Sequence, residues 1–119
     1  MNKKSKILIV EDSKTQALGL HNLLVENDYE VSVAFDGLEA QAYLEKFFPD
    51  IIITDVVMPD ISGYELCRII RNNERTKNIP IILLTSLASP EDIIEGLKSG
   101  ADNFIIKAGV ARNPKVIAI

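Results

Sequence analysis

The sequence predicts an α/β fold, a parallel five-stranded sheet with helices on both faces. Three observations carry this. Short, β-branched apolar runs alternate with stretches of helical period. Four of those runs end in charged or hydroxyl residues, as strands do where they leave a core. No repeat or low-complexity linker divides the chain, and its 119 residues are the size of one ordinary domain.

Each element follows from local chemistry. Lys6, Ile7, Leu8, Ile9 and Val10 form the first buried strand, ending in Glu11 and Asp12. Ser13 is a helix N-cap, and Gln16 three residues on completes a capping box. Ala17, Leu20, Leu23 and Leu24 share one face of that helix, which stops at Asn27 and Asp28. Residues 29–34 alternate as a second strand. Asp36 and Gly37 make a turn and cap, and Ala40, Tyr43, Leu44 and Phe47 repeat at helical spacing. Pro49 and Asp50 break this helix. Ile51, Ile52 and Ile53 then run as a third strand through Thr54 into Asp55.

Ser62 and Glu65 stand at capping-box spacing before Leu66, Ile69 and Ile70, the apolar face of a third helix. Residues 72–78 are a polar connection. Pro80 opens a fourth strand, Ile81 to Leu84, that ends in Thr85 and Ser86. Ser89 caps the fourth helix with Pro90 at its first position and Asp92 in its first turn. Ile93, Ile94 and Leu97 are its expected core stripe, and Gly100 stops it. Residues 103–106 are the last strand, ending at Lys107.

Composition narrows the function. Apolar residues make up 47% and charged residues 25%, as in soluble globular proteins. A net charge of -4 leaves no surplus of cations for phosphodiesters, so no direct nucleic-acid partner is expected. No apolar run approaches the roughly 20 residues that span a bilayer, so membrane insertion is not expected. Glu11 and Asp12 cut short the run after the basic start, which argues against a secretory signal. A single cysteine, Cys67, rules out an internal disulfide and fits a reducing, cytoplasmic setting. Cys67 falls in a helical pattern and reads as buried and inert. The lone His21 reads as a helix surface residue rather than a metal ligand.

In a parallel sheet the four polar strand ends lie on one edge. Glu11, Asp12, Asp55, Thr85 and Lys107 therefore converge. Three clustered carboxylates repel one another unless a cation neutralises them, and an oxygen-only donor set points to hard Mg²⁺. Lys107 is a point charge able to hold a phosphate, and Thr85 is a hydroxyl donor. Asp55 is thus placed to act as a nucleophile toward phosphorus. A purely structural salt-bridge cluster is the plainer alternative.

The chain resembles a response-regulator receiver domain of two-component signalling, of the chemotaxis-regulator type. The match is carried by the Ile-Leu-Ile-Val-Glu11-Asp12 opening, the Asp55-x-x-Met58-Pro59-x-x-x-Gly63 segment, Thr85-Ser86, Gly100-Ala101-Asp102 and Lys107. The resemblance implies a flavodoxin-like, doubly wound sheet of strand order 2-1-3-4-5. It implies that Asp55 accepts a phosphoryl group from a sensor histidine kinase, a phosphotransfer protein or a small phosphodonor. It assigns Mg²⁺ to Glu11, Asp12, Asp55 and the backbone carbonyl of Val57, and the phosphate contact to Lys107. Thr85 would move to bond the phosphoryl oxygen. Phe104 stands where the family keeps its switch aromatic, which would change a face that binds a downstream protein target; a plain core aromatic is equally compatible. Such a domain catalyses its own phosphorylation and dephosphorylation without being a turnover enzyme. Val57 and Leu87 are apolar where polar family residues help place the attacking water. Slow hydrolysis of the Asp55 phosphate is therefore expected, and Val57→Asn should speed it.

The resemblance fails after Lys107. Ala108 stands where the family has proline; a non-proline cis bond costs about 2.5–4 kcal/mol, so a trans Lys107–Ala108 bond and a rerouted loop are expected. Residues 1–107 form the receiver domain, and 108–119 form an atypical tail of that domain. Pro114 disrupts any helix there, leaving the fifth helix shortened, replaced or missing. The chain could accordingly be a piece of a longer regulator or hybrid kinase. An uncovered apolar face would favour a homodimer. Three other functions compete. A phosphohydrolase would want an acid where Val57 stands. A flavin or nucleotide carrier would want a Gly-rich or Ser/Thr-rich loop where Glu11 and Asp12 stand. A degenerate receiver would act as a phosphorylation-independent interaction or dimerisation module.

Overall fold

A computed structural model of the chain describes residues 4–86 and 89–107. Within them the order is β1 (Lys6–Val10), α1 (Lys14–Glu26), β2 (Glu30–Ala34), α2 (Gly37–Lys46), β3 (Ile51–Thr54), α3 (Gly63–Arg71), β4 (Ile81–Thr85), α4 (Pro90–Lys98) and β5 (Asn103–Ile106). The sheet is wholly parallel and ordered β2-β1-β3-β4-β5. It is the flavodoxin-like, doubly wound arrangement, with four helices among the described residues. The expectations placed on Leu87, Ala108 and residues 108–119, the fifth helix included, lie outside the described residues.

The two-residue period of a strand splits the core in two. Leu8, Val10, Ile52 and Ile81 point to one face, where Ala40 and Leu44 of α2 and Leu66, Cys67 and Ile70 of α3 pack on them. Ile7, Ile9, Ile51, Ile53, Ile82 and Leu84 point to the other, beneath Leu24, Leu20 and Leu23 of α1. Cys67 is fully buried, and burial pushes its thiol up.

Four serine or aspartate caps form as the sequence requires. Ser13, Asp36, Ser62 and Ser89 each accept the backbone N–H of the residue three further on. Two expected faces are corrected. Phe47 is not core: it is the extended C-cap of α2, exposed, with its ring stacked on Tyr43 at 4.9 Å. The α4 stripe is also outside, with Ile93, Ile94 and Leu97 at 38%, 52% and 57% exposure. Gly96 faces the sheet instead, so close to it that a Cβ would lie 2.8 Å from the Phe104 ring and 2.9 Å from Leu83 Cδ1.

Candidate functional site

Strand register gathers the site. Val10 pairs with both Ala34 and Thr54, so Glu11 and Asp55 leave adjoining strands at the same level. The Glu11 N–H donates to Ala34 O at 3.0 Å, and the Asp55 N–H donates to Val10 O at 2.9 Å. These bonds carry the sheet ladder right up to the acids. Glu11, Asp12 and Asp55 present carboxylate oxygens within 4.8 Å of one another. Glu11 is buried, Asp12 is exposed and Asp55 is nearly buried, its side chain only 11% exposed.

Asp55 is held at both oxygens. Its Oδ1 accepts the Val56 N–H at 2.7 Å, and its Oδ2 accepts from Lys107 Nζ at 3.1 Å. Lys107, just past β5, also donates to Glu11 Oε1 at 2.7 Å and to Gln16 Oε1. Burial alone would push this ammonium down, but its bonds to Glu11 and Asp55 and their charges outweigh burial and raise it. A cation is thereby kept at the site across neutral pH. Burial pushes the Glu11 carboxyl up, helped by the Asp55 charge and opposed by Lys107 and by the Ser13 N–H. Three carboxylates against one ammonium leave the cluster negative. An oxygen-only set of this kind suits a hard divalent cation, and it is positioned to coordinate Mg²⁺.

The loop after Asp55 is fastened at both ends. Thr54 Oγ1 donates to the Asp55 carbonyl at 3.0 Å. The Gly63 N–H donates to Val56 O at 2.8 Å, which brings α3 so near that a Cβ on Gly63 would sit 2.2 Å from Asp55 O. Only glycine permits that approach. Asp60 ties the same loop to α2, accepting the N–H groups of Gly37 at 3.1 Å and Leu38 at 2.8 Å. Burial opposes its ionisation, but the N–H groups of Ile61, Gly37 and Leu38 prevail and hold its carboxyl below the usual value.

Thr85 ends β4, is buried and pairs in register with Ile106, so it and Lys107 close adjoining strands. Val57 lies in the Asp55 loop with its side chain open to solvent. Phe104 is half-buried in β5 with its ring under Gly96 of α4. The expected capping box at Ser13 is half-formed. The Gln16 N–H does donate to Ser13 Oγ, at 3.3 Å, but the Ser13 N–H goes to Glu11 Oε2 at 3.2 Å, and the Gln16 side chain turns to Lys107. Gln16 and Asp60 were not expected at the site. The spacing of Gln16 pointed to capping, and nothing local to Asp60 reports that α2 begins beside it.

A doubly wound sheet whose carboxyl edge carries three acids, a threonine and a lysine defines a phosphoryl-handling α/β domain. This chain belongs to the response regulator receiver domain family, which its residues 7–113 match. It is similar to the response regulator PleD of Caulobacter vibrioides, 40% identical over 103 residues, which are 87% of this chain and 23% of that protein. Among solved structures it is similar to the receiver domain of a signal transduction histidine kinase from Syntrophus aciditrophicus. That likeness has a TM-score of 0.80 and 40% identity, covering 96% of this chain and 92% of the other. The chemotaxis response regulator CheY4 of Vibrio cholerae aligns at a TM-score of 0.83 and 37% identity, over 88% of each chain. The chain spans less than half the length of the curated relatives it matches, 23% of PleD and 45% of the phosphate regulon regulator PhoB of Rhizobium meliloti. Receiver domains of such multi-domain regulators work with kinases and output domains. The acidic cluster is of the phosphoaccepting, Mg²⁺-binding kind, consistent with limited self-catalytic activity. No helix among the described residues is long and apolar enough to cross a membrane.

Proposed function

We propose that Asp55 is the phosphoacceptor of a signalling switch, and that it takes its phosphoryl group from a sensor histidine kinase or a phosphotransfer protein. The observation that carries this reading is the Lys107 ammonium, which bridges Asp55 Oδ2 and Glu11 Oε1 inside a cluster of three carboxylates. An Asp55 oxygen attacks phosphorus, the new O–P bond forms, and the old bond to phosphorus, P–N of a phosphohistidine or P–O of an acyl phosphate, breaks with its electron pair leaving on the departing imidazole or carboxylate. With an acyl phosphate the departing group is a carboxylate, and no proton need move. Glu11, Asp12, Asp55 and the Val57 carbonyl would hold the metal, which would supply positive charge against the carboxylates and phosphoryl oxygens. Lys107 gives up its bond to Asp55 for one to a phosphoryl oxygen. Thr85 bonds another, and Phe104 follows it, altering the α4–β5 face that a downstream protein target reads.

In this reading residues 1–107 are the receiver domain and 108–119 a tail of it, working in the cytoplasm. The exposure of Ile93, Ile94 and Leu97 supports a homodimer built through α4. A clean monomer at high concentration in sedimentation would remove the dimer from the scheme.

Incubation with Mg²⁺ and acetyl phosphate, followed by intact mass, tests the central claim. The wild type gains one phosphate and Asp55→Asn gains none. A wild type without an adduct would favour a phosphorylation-independent interaction module. Chelation of Mg²⁺ by EDTA is expected to abolish the adduct.

A further inference from the structure

We propose that Gln16 is a positioning residue for phosphorylation: its side-chain carbonyl holds the Lys107 ammonium at the rim of the acidic site, where the incoming phosphoryl oxygens arrive. The inference rests on the reading of Asp55 as phosphoacceptor.

Three observations lead there. The first concerns what Gln16 is not doing. At the third position of a helix, a glutamine normally accepts the N-cap N–H. Here Glu11 Oε2 already takes the Ser13 N–H at 3.2 Å. The Gln16 amide is released from capping, and its oxygen accepts from Lys107 Nζ. Glu11 makes this possible by dividing its two oxygens, one to the cap and one to Lys107 at 2.7 Å.

The second is the donor count. An ammonium has three hydrogens. Those of Lys107 face Glu11, Asp55 and Gln16. The first two acceptors are anionic and lie inward; the third is neutral and on an exposed helix turn. Without Gln16, Coulomb attraction would draw the ammonium down between the two carboxylates. There it would occupy oxygens that a divalent cation needs and would stand back from an arriving phosphoryl group. With Gln16, Lys107 is supported at two points besides Asp55. Exchanging its Asp55 bond for one to a phosphoryl oxygen is then a change of one hydrogen bond around a fixed nitrogen, not a relocation.

The third is the choice of residue. The amide oxygen holds the ammonium without adding charge. A carboxylate would hold it too, but it would add a fourth negative charge facing a dianionic donor.

Two variants at this position test the proposal against wild type. Gln16→Met keeps the side-chain length and helix propensity but has no oxygen. Gln16→Glu keeps an acceptor oxygen at the same reach. Phosphorylation by acetyl phosphate is followed by intact mass at saturating Mg²⁺, Mg²⁺ affinity by calorimetry without phosphodonor, and folding by thermal midpoint. Gln16→Met is expected to phosphorylate about tenfold more slowly. It is also expected to bind Mg²⁺ several-fold more weakly at an unchanged midpoint. Gln16→Glu is expected to stay within about threefold of the wild-type rate and to bind Mg²⁺ at least as tightly. Wild-type rate and affinity in Gln16→Met would overturn the inference while leaving the phosphoacceptor reading intact. So would losses in Gln16→Met that track a lowered thermal midpoint, or an equal loss of Mg²⁺ affinity in Gln16→Glu. A wild type that takes no phosphate would overturn both.

Discussion

Helices α3 and α4 are each nine residues long, start from a serine cap and carry isoleucine and leucine at helical spacing, yet they are held to the sheet by different forces. Helix α3 buries Leu66, Cys67 and Ile70 in the core. Helix α4 buries only Gly96, and its three large apolar residues face out. What fastens α4 is polar and comes largely from α3. The Tyr64 hydroxyl donates to Asp92 O at 3.2 Å, Arg68 pairs with Glu95, and Arg71 Nε donates to Gly100 O at 2.8 Å. The comparison teaches that a helical hydrophobic period reports an amphipathic helix but not which way the helix rolls. Here Phe104 and Leu83 already fill the space over β4 and β5, so the helix meets them with its smallest residue. A helix held this way can shift at little hydrophobic cost, which suits the element that lies against the proposed switch aromatic.

The largest expected effect breaks the comparison at its apolar side. Ile70→Ala in α3 should lower the unfolding free energy in urea by about 2–5 kcal/mol, through lost burial and the cavity left behind. Ile94→Ala in α4 should change it by no more than about 0.5 kcal/mol. Equal losses at the two positions would mean that α4 buries its stripe in solution.

A smaller effect tests how α4 meets the sheet. Gly96→Ala places a methyl 2.8 Å from the Phe104 ring and 2.9 Å from Leu83, so something must give. A cost of about 1–3 kcal/mol is expected, with faster hydrogen exchange in α4 than in α3. Stabilisation, as for an ordinary exposed helix glycine, would show that the close approach is absent.

The smallest effect sharpens the contrast from the α3 side, where Asp60 fastens the preceding loop to α2. Its carboxyl is held below the ordinary value of 3.8. A depressed acid stabilises the fold above that value and loses its contribution as pH falls through the folded one. Asp60→Ala should therefore cost about 0.5–2 kcal/mol at pH 7, as loss of a helix cap does. The gap from wild type should narrow in urea titrations repeated below the ordinary Asp value. A gap independent of pH would mean that the ionised form is not what α2 binds.

Much of this molecule is legible in the chain. The isoleucine-rich runs are strands because β-branched residues fit a sheet buried on both faces, and the acids and lysine after them mark one edge. Helix starts were readable because capping is chemistry between residues three apart. Phe47 and the α4 stripe differ from their helical period, which points inward, because periodicity describes an element and not its neighbours. Gln16 departs from its capping spacing for a related reason: its local partner, the Ser13 N–H, is taken by Glu11, two residues before the cap.

By itself, then, the sequence determined the alternation of strands and helices, the caps and the identity of the residues at the sheet edge, because each depends on contacts within a few positions. Only the tertiary structure decided that Lys107 reaches Glu11 across 96 positions and Asp55 across 52, that Gln16 joins them, and that α4 turns its apolar side outward. Those are competitions for one hydrogen bond or one volume between groups distant in the chain, and they are resolved only once the sheet has brought the competitors together.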